Sequence, residues 1–183
     1  MATVTQLLTA EEFGNLPDPG HPQELVRGVI VDMPPPKSRH GQICVYVVVA
    51  LANHAERHHL GHVLSNDSGI ITERDPDTVR GGDVCFYSYE KVPPGPLPAA
   101  YPEVPPDAVF EVLSPSDRWP QVHQKITEYL QLGVPAVYVL DPKTSQVHTY
   151  YADSPGEVLT VSDEFVGVGF LSSLRVPVAR FFG

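Results

Sequence analysis

The chain has 183 residues, 42% of them hydrophobic and 19% charged, ordinary proportions for one folded domain with a sizeable core. No apolar run approaches the roughly 20 residues that cross a bilayer, and the N-terminus lacks the basic start and long apolar segment of a secretory signal, so a cytoplasmic protein without membrane contact is expected. Twelve Lys and Arg against 22 Asp and Glu leave a formal net charge of −10, which argues against broad non-specific nucleic-acid binding but leaves room for a local basic groove or a metal that offsets carboxylates.

In chain order, Thr9-Ala-Glu-Glu12 has capping-box spacing and predicts a short helix through about Leu16, anchored by Leu7, Leu8 and Phe13. Gln23 to Met33 reads as a hairpin or a bent strand pair, with Gly28 at the turn or bulge. After Pro34-Pro-Pro36, Ser38 is the predicted N-cap of a long helix through about His59. Its interior from Ile43 to Leu51 is apolar nearly all round, and Gly61 is the predicted C-cap. His62–Asn66 and Gly69–Glu73 read as two strands joined by a turn at Asp67-Ser68, and Val79–Tyr87 as another strand. Lys91 to Pro106 holds seven prolines and reads as a surface loop.

Pro106 to Leu113 is nearly continuous apolar sequence, which predicts a central strand buried on both faces. A helix from about Trp119 to Leu132 follows, closed by Gly133, and then a buried strand from Ala136 to Leu140, making a crossover unit. Gln146–Tyr151, Val158–Val161 and Val176–Phe182 are predicted edge strands. There is no internal repeat or linker, so residues 1–183 read as a single domain. The pattern alone predicts an α/β sheet with helices packed on it, partly antiparallel at its start.

Two carboxylates interrupt apolar strands, Asp83 and Glu111, the latter on the same face as Val109 and Leu113. A charge so placed needs a cation, a metal or hydrogen-bond donors. Either each acid has a structural ion partner, or the two share a hard divalent cation, with Lys125 aimed back at them from the following helix. His40 opens the long helix, where it contacts a phosphate or simply fixes the entry loop. His54 and His58 share a helix face, but HAERH is not a zinc-protease signature, and a solvated helix end is the simpler reading. Cys44 and Cys85 read as small buried hydrophobes. No G-x-S-x-G elbow or phosphate-binding glycine fingerprint is present.

Glu24-Leu-Val-Arg-Gly, Arg39-His-Gly, Val79-Arg-Gly-Gly-Asp-Val and Pro106-Asp-Ala-Val-Phe-Glu-Val-Leu-Ser-Pro-Ser-Asp stand in this order, followed by Lys125-Ile-Thr-Glu-Tyr-Leu-Gln-Leu-Gly-Val. Together they resemble the Uma-type restriction endonuclease family, a branch of the PD-(D/E)xK nuclease superfamily. EVLSPSD followed by K-x-x-E-Y-x-x-x-G-V is the most specific part.

The resemblance implies a restriction-endonuclease-like fold, a mixed central sheet flanked by helices with an N-terminal antiparallel strand pair and extra C-terminal strands. It also implies hydrolysis of DNA phosphodiesters with Mg²⁺, or Mn²⁺ in its place. Asp83 and Glu111 would then be metal ligands, assisted by the Val112 carbonyl, with Lys125 positioning or activating water, Glu24 supplementing the site and His40 at a family position. Leu113 occupies the place where the superfamily's motif carries its lysine, so that role passes to Lys125. Arg27, Lys37, Arg39, Arg80 and Arg118 are candidate phosphate contacts, and a homodimer would suit cutting of two strands. The competing readings are a nuclease-fold binding or regulatory module without catalysis, and hydrolysis of another phosphoryl substrate.

Overall fold

The computed structural model describes residues 7–183. Thr9 caps α1 (Ala10–Gly14) as its spacing predicts: its hydroxyl accepts from the Glu12 N–H, and the Glu12 carboxylate accepts from the Thr9 N–H. β1 (Gln23–Val26) and β2 (Val29–Asp32) form the predicted hairpin. Its two turn residues, Arg27 and Gly28, have positive φ of 51° and 78°, which suits the right-handed twist of the paired strands. Gly28 is required on a second count, because a Cβ there would lie 2.5 Å from that of Leu7. Leu8 and Phe13 pack on Leu25 and Val79, while Leu7 stays largely exposed.

α2 (Ser38–His58) begins and ends differently from its prediction. Ser38 is the first helical residue; Lys37 holds the cap position and its side chain makes no capping bond. His59, in the left-handed region with φ 52°, closes the helix, and Gly61 opens the next strand. The helix is not buried all round. Ile43, Val47, Leu51 and Ala55, spaced by four, face the sheet, whereas Val45 and Val49 are 57% and 51% exposed. Only one layer covers it, so only one stripe is buried.

β3 (Gly61–Glu73) runs antiparallel to β4 (Thr78–Ser88) along its whole length. The two strands and turn predicted for β3 are one strand with a bulge. Ser65 pairs with Val84 and Ser68 with Gly82, so Asn66 and Asp67 stand opposite the single residue Asp83. Both have positive φ, 66° and 53°. The left-handed backbone at Asn66-Asp67 makes a bulge in a continuous strand, not the reversal predicted at Asp67-Ser68.

Beyond the proline-rich loop come β5 (Ala108–Val112), α3 (Trp119–Leu132) and β6 (Ala136–Asp141), with β6 parallel to β5 and Gly133 closing α3 at φ 101°. β7 (Gln146–Tyr151) and β8 (Val158–Leu159) add antiparallel neighbours. β9 (Glu164–Val166) and β10 (Arg175–Pro177) make a separate two-stranded sheet. The strand predicted over Val176–Phe182 is β10 followed by a helical turn, α4 (Ala179–Phe182), which drives Phe181 and Phe182 into the core.

The sheet is mixed and organised on β4. One edge of β4 pairs with β3; its other edge carries β1 near the start (Leu25 with Val79) and β5 near the end (Val84 with Phe110). Between these two partners the edge forks and, among the described residues, has no strand beside it. One core, with Ile43, Val47, Phe86, Phe110, Tyr138 and Phe165, fills the α2 face. A second, with Cys85, Val109, Val122, Ile126, Tyr129 and Val139, fills the α3 face. Each large apolar side chain buried there contributes roughly 1.5–3 kcal/mol. Among the described residues, no helix is long and apolar enough to cross a membrane.

Candidate active site

The fork is where backbone groups lack a strand partner and side chains supply one. Gly81 donates its N–H to Glu24 Oε1 at 3.1 Å, and its carbonyl accepts from Lys125 Nζ at 3.0 Å. Two residues on, Asp83 Oδ2 accepts from the Val112 N–H at 2.6 Å, continuing the β4–β5 ladder with a carboxylate. The glycines here are needed for close approach: a Cβ on Gly82 would lie 2.5 Å from Cys85 Sγ.

Four elements then converge. Lys125 Nζ is 3.0 Å from Glu111 Oε2 and 3.3 Å from Glu24 Oε1. The Tyr129 hydroxyl, one helical turn later, donates to Glu111 Oε1 at 2.8 Å. From the other face His40 Nε2, in the first turn of α2, lies 3.2 Å from Asp83 Oδ1, and its Nδ1 lies 3.5 Å from Cys44 Sγ. Glu24, His40, Asp67, Asp83, Glu111 and Lys125 line one cleft of about 250 Å³, walled by Met33–Lys37 on one side and Ser114–Asp117 on the other.

The electrostatics are those of crowded acids. Burial pushes the Glu111 carboxyl up, to about 7; Lys125 pulls against this and the charge of Asp83 adds to it. Burial alone would lower the Lys125 pKa, but Glu111, Glu24 and Asp83 outweigh it and hold the ammonium protonated above its ordinary range. His40 behaves likewise: burial opposes its charge, yet the hydrogen bond and charge of Asp83, with Cys44, raise it to about 10. Asp67 is raised by burial and then by Asp83. Five acids, Glu24, Asp67, Asp83, Glu111 and Asp117, thus line the cleft against Lys37, His40 and Lys125, a surplus of acidic groups that favours a further cation.

Glu24, His40, Asp83, Glu111, Val112 and Lys125, the residues singled out in the sequence, are all brought to this cleft. Lys37 also lines it, but the other four expected phosphate contacts, Arg27, Arg39, Arg80 and Arg118, do not. Arg39 is turned away, donating to the Phe182 carbonyl and to Gln42, and so ties α2 to the C-terminus. Arg80 is buried in ion pairs with Glu24 and Glu128. Cys85 is fully buried, as its surroundings predict, but Cys44 is only half-buried and sits beside His40. His54 and His58 join no metal-competent cluster; among the described residues only His40, Cys44 and Asp83 form one.

Sequence reasoning missed Asp67, which was assigned to a turn; the bulge opposite Asp83 delivers it to the cleft. It also missed Tyr129 and Glu128, whose signal was their spacing from Lys125 along one helix flank.

No functionally curated protein matches this chain. The fold is similar to a crystal structure described as "a putative nuclease belonging to DUF820" from Anabaena variabilis. The TM-score is 0.82 over 96% of this chain and 97% of that one, with 22% identity. At that identity the likeness speaks for the fold alone. The family model described as "Uma2: Putative restriction endonuclease" matches residues 10–178, nearly the whole chain and all the cleft residues named above. The chain belongs to the Uma2 family.

Proposed function

We propose that this chain is a divalent-metal-dependent endonuclease that hydrolyses phosphodiester bonds in DNA. The observation that carries the reading is the convergence of Glu24, Asp83, Glu111 and Lys125, from β1, β4, β5 and α3, on one open cleft. The donor set fits the ion: Asp83 and Glu111 would hold it with the Val112 carbonyl, and oxygen ligands suit Mg²⁺, with Mn²⁺ the alternative. When bound, the ion supplies positive charge at the phosphoryl oxygens and lowers the pKa of water in the site.

The chain's own groups do the rest. Lys125, protonated, serves as a donor and counter-charge rather than as a base, and orients water against the phosphate. Tyr129 fixes one oxygen of Glu111 and Lys125 the other, which sets the carboxylate's plane. Glu24, braced by Arg80, supports Lys125 from below. A homodimer, presenting two such clefts, belongs to the same proposal, and sedimentation velocity tests it.

One observation favours a module without catalysis. Lys125 has three protons, and Gly81, Glu111 and Glu24 offer acceptors for all three. Calorimetric titration of Mg²⁺ and Mn²⁺ into wild type and Glu111→Ala, with plasmid nicking alongside, separates the two readings. Binding and nicking by wild type, both lost in Glu111→Ala, is the expected result. Binding without nicking gives the site to the non-catalytic reading, and no binding in either protein overturns the metal assignment.

A further inference from the structure

α3 carries a second chemistry on the flank away from Lys125. Trp119 and His123, one turn apart, lie side by side with ring centroids 5.4 Å apart. Behind them β7 presents His148 and Tyr150, two residues apart and therefore on one face of the strand. Trp119 meets His148 edge-on at 5.0 Å, and His123 meets Tyr150 edge-on at 5.9 Å. The four rings form a continuous ledge, and Trp119 remains 37% exposed within it. His148 is kept towards its neutral form, by burial first and then by His123 against the pull of Asp141. Single exposed apolar side chains are commonplace, but four rings touching in sequence are not scattered singles.

The ledge adjoins the cleft. Asp117 lines the cleft wall, and Trp119 follows two residues later, with the exposed Arg118 between. We propose that this ledge stacks the bases of an unpaired DNA strand running from the cleft, so that the preferred substrate has single-stranded character. The inference rests on the nuclease reading for the identity of the strand.

Charge points the same way. Duplex affinity comes mostly from cationic side chains set against phosphates, and this chain carries a net charge of −10, with Arg39 and Arg80 spent on internal contacts. A strand whose bases are free offers π faces instead. Stacking on aromatic side chains is worth roughly 5- to 150-fold in affinity per base, and it adds to the phosphate contacts open to Lys37 and the exposed Arg118.

Trp119 is the chain's only tryptophan, so its fluorescence reports on the ledge directly. The experiment titrates oligothymidylate into the full chain in EDTA, which blocks metal-dependent cleavage, with a duplex of the same length in parallel. Saturable quenching by the single strand, with duplex binding at least about tenfold weaker, is the expected result. By polarisation of a labelled oligonucleotide, Trp119→Ala should bind roughly tenfold more weakly and Trp119→Phe nearly as wild type; His123→Ala serves if Trp119→Ala does not fold.

Equal affinity for strand and duplex, absence of quenching, or wild-type binding by Trp119→Ala would each overturn the proposal. So would quenching that follows protein concentration alone, which would assign the ledge to a second copy of the chain. Cleavage of a labelled single-stranded oligonucleotide with Mg²⁺ or Mn²⁺, with plasmid nicking alongside, keeps the two readings apart. Cleavage of either by wild type with no quenching leaves the nuclease standing and removes the ledge. Quenching with no cleavage of either under any metal leaves a strand-binding ledge and removes the nuclease.

Discussion

Arg80 is the most demanding residue in the fold, and replacing it by methionine isolates why. Its guanidinium sits between Glu24 and Glu128, and all three side chains are less than a tenth exposed. Nη1 donates to Glu24 at 2.9 Å, while Nε and Nη2 grip the two oxygens of Glu128 at 2.6 and 2.7 Å. Gln124 adds a bond to Glu128 at 3.0 Å. Arg80→Met keeps an unbranched apolar stem but removes the guanidinium, and so leaves two buried carboxylates without their cation. Removing one member of a buried ion pair costs about 3–5 kcal/mol. For a domain of this size that converts to a fall in Tm of roughly 6–20 °C. Lys125, 3.3 Å from Glu24, offsets the loss on that side, so the lower half of the range is expected. The double variant Arg80→Met/Glu128→Leu removes the orphaned acid as well and should regain more than half of the loss. Thermal unfolding followed by circular dichroism at pH 7 measures both. A single-variant fall below about 3 °C, the scale of a surface pair, would refute the reasoning, as would a double variant no more stable than the single.

Lys125→Met should lower plasmid nicking by roughly 10²–10³-fold while ion affinity by calorimetry holds or rises, since a like charge leaves the site; nicking within roughly tenfold of wild type would remove Lys125 from the mechanism. Glu111 gives a pH signature in metal-free protein. Its carboxyl stands at about 7 in the fold against an ordinary 4.5, so the folded state binds more protons across that interval, and the contribution, complete below 4.5, is lost as the pH rises through 7. Urea melts should show wild type losing stability relative to Glu111→Gln over this window, and parallel slopes would count against it. Both cysteines are pushed above their ordinary pKa, chiefly by burial, and Cys85 is fully buried. At pH 8, iodoacetamide should modify Cys44 slowly and Cys85 only after unfolding, as read by peptide mass spectrometry; prompt modification of Cys85 would contradict the packing of the α3 face.

What the sequence made legible was local. α3 and β5 lie where the apolar pattern put them, because an uninterrupted buried strand and a glycine-closed helix leave little choice of boundary. The acids at 83 and 111 stood out because charge inside apolar strands is costly. What could not be read was decided by partners distant in sequence. Asn66-Asp67 has the same positive-φ chemistry in a bulge as in a turn, and only continuous pairing with β4 distinguishes the two. Val45 and Val49 looked as buried as Val47, since periodicity does not say how many layers cover a helix. Arg80 and Arg39 looked like free cations because Glu128 and the Phe182 carbonyl, their acceptors, come 48 and 143 residues later.

The fork in the sheet has a consequence for when the site comes into being. Glu24 arrives with β1, Asp83 with β4, Glu111 with β5 and Lys125 with α3; only Glu111 and Lys125 meet across a short turn, and Glu24 and Asp83 must come from strands distant in sequence. Contacts of such sequence separation form late, after the loops between them have closed. The cleft is therefore a coincidence detector for completed folding. A nascent chain halted before residue 125, or a proteolytic piece lacking the hairpin, holds some of the acids but never their assembly. Whatever chemistry the cleft performs is withheld until nearly the whole chain has found its place.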